Sequence, residues 1–178
     1  MKTSSALAYV GHNSSKNRVV NDFYPTPPEV TQALLDREKF EGNIYECSCG
    51  DGAMSKVLIK NGYDVFSSDL IDRGYGQAQL DFLKSNKKFD NIITNPPFNL
   101  STEFTVKALE LANNKVALLN KLSFLEGIKR RNQVFNEKKL EKVLVFTRRI
   151  KFGGNGLMAF AWFIFNKKYE GLPQINWI

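Results

Sequence analysis

The sequence predicts an α/β protein: a mostly parallel sheet with helices on both faces and an antiparallel strand at the C-terminal end. Three observations carry this. Short apolar runs alternate with segments of helical periodicity along most of the chain. Runs such as Val116–Leu119 have the apolar character of strands covered on both faces. The last apolar run, Phe160–Phe165, follows Gly153-Gly154-Asn155-Gly156, a loop that lets it turn back on Val143–Phe146 as a hairpin.

The elements follow in order. Residues 1–21 are rich in Ser, Asn and charge, with little periodicity, and read as a mobile arm ahead of a single domain over 22–178. Prolines 25, 27 and 28 hold Tyr24–Pro28 extended. A helix is expected from Pro28 to about Lys39, with Val30, Ala33, Leu34 and Leu35 inward. Asn43–Ser48 reads as the first strand, ending in the turn Gly50-Asp51-Gly52. Ala53–Asn61 reads as a helix stopped by Gly62, and Tyr63–Ser68 as the second strand. Phe89–Thr94 is another strand, closed by Asn95-Pro96-Pro97-Phe98. Ser101 is a natural cap for a helix to Leu111, and residues 126–137 read as a basic helix.

Composition narrows the function. With 178 residues, 43% of them hydrophobic, the chain is long enough for one sizeable core. No apolar run approaches the ~20 residues of a membrane span, and Met1–Val10 is too short and polar for a secretory signal. A cytoplasmic protein without a membrane partner is expected. Cys47 and Cys49, one residue apart, read as buried thiols, and with a lone His12 no metal cluster is expected. The net charge is +7, unevenly spread: residues 115–168 hold 13 Lys and Arg against 3 Asp and Glu, the rest 12 against 15. Such a basic C-terminal third suits a polyanion, although a solvated lysine-rich face has the same composition.

A strand followed by Glu46-x-x-x-Gly50-x-Gly52 and a helix is a cofactor-binding turn, because glycines let a ligand approach the backbone. Asp69 closes the second strand, where a carboxylate accepts from ribose hydroxyls. The turn lacks the third glycine of the dinucleotide fingerprint, and Asp51 would repel a pyrophosphate, which disfavours NAD. Glu46 is placed to accept from the ammonium group of an amino-acid-like cofactor. A plain tight turn with Asp69 as a helix cap is the alternative.

Asn95-Pro96-Pro97-Phe98 lies at the carboxyl end of a strand, where ligands of open sheets sit. An exocyclic aromatic amine is a poor nucleophile, because its lone pair is delocalised into the ring. It needs acceptors for its two hydrogens, and the Asn95 side-chain oxygen and the Pro96 carbonyl are suited to that. The prolines stiffen the backbone and bring no N–H into the pocket. Phe98 can stack on a base.

With these motifs in this order, the chain resembles amino-methyltransferases of the N6-adenine type, particularly small phage-encoded DNA adenine methyltransferases. The resemblance covers roughly residues 22–126. Tyr24-Pro25-Thr26-Pro27 resembles the segment that helps hold the methionine carboxylate of S-adenosyl-L-methionine. Glu46, Gly50 and Gly52 resemble its glycine motif, and Asp69 its ribose-binding acid. Asp81 and Phe82 resemble the acid and ring beside the cofactor adenine, although Asp81 also suits a helix cap over Phe82–Asn86. Asn95, Pro96, Pro97 and Phe98 resemble the catalytic motif. The resemblance implies a Rossmann-like class I methyltransferase fold with seven strands, the third of which is expected to be shortened here around residues 73–88.

A duplex buries the adenine amino group in its stack, so the base must be flipped or presented on a single strand. Lys129, Arg130 and Arg131, and Arg148, Arg149 and Lys151, are the candidate phosphate contacts, with Lys16 and Arg18 of the arm as further candidates. Methylation of RNA adenine, methylation of protein glutamine, and a non-catalytic nucleic-acid-binding module are the competing readings.

Overall fold

The computed structural model describes residues 23–136, 139–152 and 158–178. The N-terminal arm, with His12, Lys16 and Arg18, and the loop Gly153–Gly156 lie outside these residues. The element order is α1 (Pro28–Leu35), β1 (Ile44–Glu46), α2 (Ala53–Lys60), β2 (Val65–Ser67), β3 (Phe89–Thr94), α3 (Ser101–Leu111), β4 (Ala112–Lys121), α4 (Ile128–Arg130), β5 (Leu140–Val145), β6 (Phe160–Asn166) and β7 (Gln174–Trp177). Short 3₁₀ turns precede α3, at Phe98–Leu100, and follow β4, at Leu122–Leu125.

The seven strands form one sheet in the order β2-β1-β3-β4-β6-β5-β7. β6 alone runs against the others: it pairs antiparallel with β4 and β5, while every other pairing is parallel. Alternate side chains of the central strands feed two cores. Ile92, Leu118 and Phe163 face α3 with Phe104, Ala108 and Leu111. Ile93, Leu119 and Trp162 face α1 and α2 with Val30, Leu34, Met54 and Leu58. The Trp162 indole N–H donates to the Val30 carbonyl at 3.0 Å, tying α1 to the sheet.

The helix expected to reach Lys39 stops at Leu35. Beyond it the chain turns inward, burying Phe40 and placing Glu38 against Lys115 of β4 and Lys142 of β5. Ser101 is the first helical residue of α3 rather than its cap; Leu100 caps, and the Ser101 hydroxyl donates to the Phe98 carbonyl at 3.1 Å. The basic helix is short, with α4 running directly into a π-helical turn, Arg131–Phe135, that buries Val134. Between β2 and β3 the described chain contains no third strand of the sheet. A single bridge, Ser68 to Gln77, and a 3₁₀ turn, Phe82–Lys84, stand there. The seventh strand is β7, at the opposite edge. No described helix is long and apolar enough to cross a membrane.

Candidate active site

Chain order reverses in the sheet between β1 and β3, since β2 lies on one side of β1 and β3 on the other. The crevice beyond the carboxyl ends of such strands is where α/β sheets hold ligands. A cavity of about 550 Å³ opens there. Its wall includes Tyr24 and Thr26, Glu46, Gly50, Asp69, Asp81, Phe82, and Asn95 to Phe98. The motifs separated in sequence thus meet around one space. Two of the predicted residues, Pro27 and Gly52, are not part of its wall. Pro27 caps α1, and Gly52 caps α2 at φ +81° with the Tyr75 ring packed against it.

The glycine turn is held by Asp69, whose carboxylate accepts from the Gly50 amide at 2.9 Å and the Ile71 amide at 2.9 Å. Gly50 adopts φ +56°, and a Cβ on it would meet the Phe23 ring at 2.3 Å. Phe23 in turn lies under the Arg73 guanidinium, 4.1 Å from the ring centroid. Phe23 and Arg73 both line the cavity, and sequence reasoning misses both. The only signal for Phe23 is its place beside Tyr24; nothing marks Arg73.

Asp81 caps the 3₁₀ turn by accepting from the Leu83 amide at 3.1 Å, and it pairs with Lys84 at 3.3 Å. It therefore serves as a cap while also lining the cavity. Phe82 is core, 2% exposed, with its ring 5.1 Å from Phe104 and 5.7 Å from Tyr45.

Asn95 carries the clearest geometry. Its amide nitrogen donates to the Thr26 hydroxyl at 3.1 Å and the Tyr24 carbonyl at 3.4 Å. A carbonyl only accepts, so the amide cannot be flipped without losing that bond. Its oxygen, Oδ1, is buried with no hydrogen-bond partner. Glu46 is the second such group. It is 1% exposed, its Oε1 pairs with the Thr94 hydroxyl at 2.9 Å, and its Oε2 is buried without a partner. Burial pushes the Glu46 carboxyl well above the usual range, with Asp69 adding to the rise and the Thr94 hydrogen bond opposing it. Burial likewise pushes the thiols up, Cys47 well above its ordinary value and Cys49 to about 12, with the charges of Glu46 and Asp69 adding.

Phe98 belongs to an aromatic cluster. It stacks on Tyr24, with centroids 5.9 Å apart and planes at 24°, and lies 5.5 Å from Phe160 and 6.4 Å from Phe152. The Lys121 ammonium, at the end of β4, sits 5.0 Å from the Phe98 ring centroid. Arg148, Arg149 and Lys151 are exposed on the segment after β5 that leads into Phe152, which joins them to this cluster. The other basic group is more engaged. Lys129 pairs with Glu103 at 2.6 Å, and Arg130 donates to the Glu126 carbonyl at 2.6 Å and stacks over Phe124. Arg131 is exposed at the start of the π-helical turn.

No protein-family model and no curated protein matches the sequence. Solved structures do match. The "putative RNA methyltransferase PH1948" from Pyrococcus horikoshii superposes with a TM-score of 0.67 at 19% identity, covering 85% of this chain and 89% of that one. A modification subunit of a "putative type I restriction enzyme" from Vibrio vulnificus YJ016 gives 0.64 at 14% identity, over 88% of this chain; the match spans 47% of the subunit. Magnesium protoporphyrin IX methyltransferase from Synechocystis PCC 6803, crystallised with bound SAM, gives 0.54 at 14% identity, over 79% of this chain and 77% of that one. At these identities the likeness is one of fold. The chain has the Rossmann-like class I methyltransferase fold, with its cavity at the strand ends where that sheet changes order.

Proposed function

We propose that this chain is an S-adenosylmethionine-dependent methyltransferase acting on adenine N6 of DNA. One observation carries the reading: a single cavity holds two buried acceptors without partners, Glu46 Oε2 at the glycine turn and Asn95 Oδ1 at the end of β3. Buried polar atoms are normally paired, and an orphan costs about 1–3 kcal/mol. The two acceptor orphans favour ligands that bring donors; the third orphan on a lining residue, Arg73 Nε, is itself a donor. An ammonium suits Glu46, and an exocyclic amine suits Asn95.

The cofactor fits what is present. The cavity volume lies in the range of ligand sites. Glu46 takes the ammonium, the Gly50 turn admits the ligand against its backbone, and Asp69 keeps lone pairs for the ribose hydroxyls while holding that turn. Tyr24, Thr26 and Pro27 flank the methionine carboxylate side; Asp81 and Phe82 flank the adenine. When bound, S-adenosylmethionine supplies an electrophilic methyl group on a sulfonium.

The target nitrogen is held by Asn95 Oδ1 and the Pro96 carbonyl. These accept its two hydrogens and favour a more tetrahedral nitrogen whose lone pair is free to attack. Alignment then supplies most of the catalysis, so no general base with a shifted pKa is needed. Phe98, backed by Tyr24, offers the apolar surface for the base. The basic residues beyond it, Lys121, Arg148, Arg149 and Lys151, favour a polyanionic substrate over a protein glutamine. The likeness to the Pyrococcus protein favours RNA as the substrate of the second reading.

Labelled methyl transfer to DNA, RNA and protein, followed by nucleoside analysis, tests this directly. Label is expected in N6-methyl-2′-deoxyadenosine released from DNA. Asn95→Ala should keep cofactor binding and lose transfer by about 10²-fold or more. Full transfer by that variant would refute the role of Asn95.

A further inference from the structure

Four groups run in a line from the cofactor end of the cavity to the catalytic loop. Glu46 Oε1 lies 2.9 Å from Thr94 Oγ1, Thr94 Oγ1 lies 2.6 Å from Ser48 Oγ, and Ser48 Oγ lies 3.0 Å from the Asn95 backbone carbonyl. These are three hydrogen-bond contacts, and each needs one hydrogen. Each hydroxyl owns one, a backbone carbonyl has none, and an ionised carboxylate has none. With Glu46 ionised, two hydrogens must serve three contacts, leaving two oxygens facing each other bare. The line closes only when Glu46 carries a proton. The neutral carboxyl then donates to Thr94, the reverse of the Thr94-to-carboxylate bond that the ionised form accepts; Thr94 donates to Ser48, and Ser48 to the Asn95 carbonyl. Burial acts in the same direction, since a neutral acid is what a dry site tolerates.

We propose that Glu46, Thr94 and Ser48 form a proton-carrying relay that positions the Asn95 backbone, and that a ligand bearing an ammonium group displaces one proton from it. This rests on the reading above, in which an amino-acid-bearing cofactor enters the cavity. The balance is simple. The ammonium beside Oε2 favours the carboxylate, the Glu46 proton leaves to bulk water, and the Thr94 hydroxyl turns to donate to Oε1. Ser48 keeps its hydrogen on the Asn95 carbonyl. The Ser48–Thr94 contact is the one released, so filling the cofactor end changes the restraint on the loop that carries Asn95. Thr94 and Ser48 are therefore positioning residues. Among the described residues, the other ionisable groups lining the cavity are Tyr24, Asp51, Asp69, Asp81 and Arg73, with the thiols of Cys47 and Cys49; of these, the Asp69 charge acts on Glu46. Asp69 opposes ionisation of Glu46, so the incoming ammonium is the group that tips the balance.

Titration calorimetry of the full chain with S-adenosylmethionine, in phosphate and in Tris at one pH, reads the proton count from the two buffers' ionisation enthalpies. About one proton released per cofactor bound is expected wherever Glu46 holds its proton, with affinity rising about tenfold per pH unit across that range. 5′-Methylthioadenosine, which keeps the nucleoside and lacks the ammonium, should bind with no release. Glu46→Gln should bind S-adenosylmethionine more weakly, with no release and no pH slope. Thr94→Val should keep cofactor binding and lower transfer, with Thr94→Ser restoring it; undiminished transfer by Thr94→Val, or no rescue by Thr94→Ser, would overturn the positioning role. Cofactor binding and methyl transfer by the wild type without proton release would overturn the relay and leave the methyltransferase reading intact. Equal release with 5′-methylthioadenosine would overturn it too. Failure of the wild type to bind S-adenosylmethionine at all would sink both.

Discussion

A carboxyl that keeps its proton in the folded chain makes stability depend on pH in an unusual direction. The Glu46 carboxyl is raised by burial, so between its ordinary range and its raised one the folded chain binds a proton that the unfolded chain has lost. Stability of the cofactor-free protein is then fully present below the ordinary carboxylate range. It falls as pH climbs through the gap and levels off above the raised value. Glu46→Gln should remove this slope, leaving the variant the more stable of the two at the upper end of that window. Urea unfolding at several pH values reads it, and a parallel slope in both proteins would contradict the assignment. At this scale much of the candidate site is legible in the sequence: strand ends and glycine spacing mark Asn95, Glu46 and Asp69, which line one cavity. Phe23 and Arg73 stay hidden, because a contact across 50 residues leaves no local pattern.

Among the elements, β6 holds the molecule together. Phe160 to Phe165 are all buried, it joins β4 to β5, and its Trp162 indole reaches across to the Val30 carbonyl of α1. Trp162→Phe removes that donor and part of the ring, and should cost about 1–3 kcal/mol. A lower urea midpoint with unchanged slope is the expected result. Apolar strands such as β6 are readable from sequence, whereas polar ends are not. β4 begins at Ala112-Asn113-Asn114-Lys115, and only pairing with β3 and β6 makes those residues a strand. β7 has exposed side chains throughout and gives no burial signal; its backbone pairing with β5 defines it. The inward turn after α1 is hidden for another reason: Glu38 reads as a surface residue until Lys115 and Lys142 are seen beside it.

For the whole molecule, sheet order divides the labour. The Glu46 and Asp69 end of the cavity follows β1 and β2, the Asn95 loop follows β3, and the cations Lys121, Arg148, Arg149 and Lys151 follow β4 and β5 along the same edge. Polynucleotide binding should therefore weaken steeply with salt. Replacing Arg148, Arg149 and Lys151 together by Gln should flatten the logarithmic salt dependence, by about 0.9 for each duplex phosphate no longer neutralised. Cofactor affinity should stay the same. Titrations at several salt concentrations would show it, and an unchanged slope would move the polyanion to another face.

The tether on the Asn95 amide has a further consequence. Thr26 and the Tyr24 carbonyl hold the nitrogen end, so the side chain has already given up its torsional freedom when the chain folds. In the proposed reaction an incoming amine would meet an acceptor already held in one rotamer. The cost of freezing it is met once, during folding, and in the proposed reaction would not recur at each turnover.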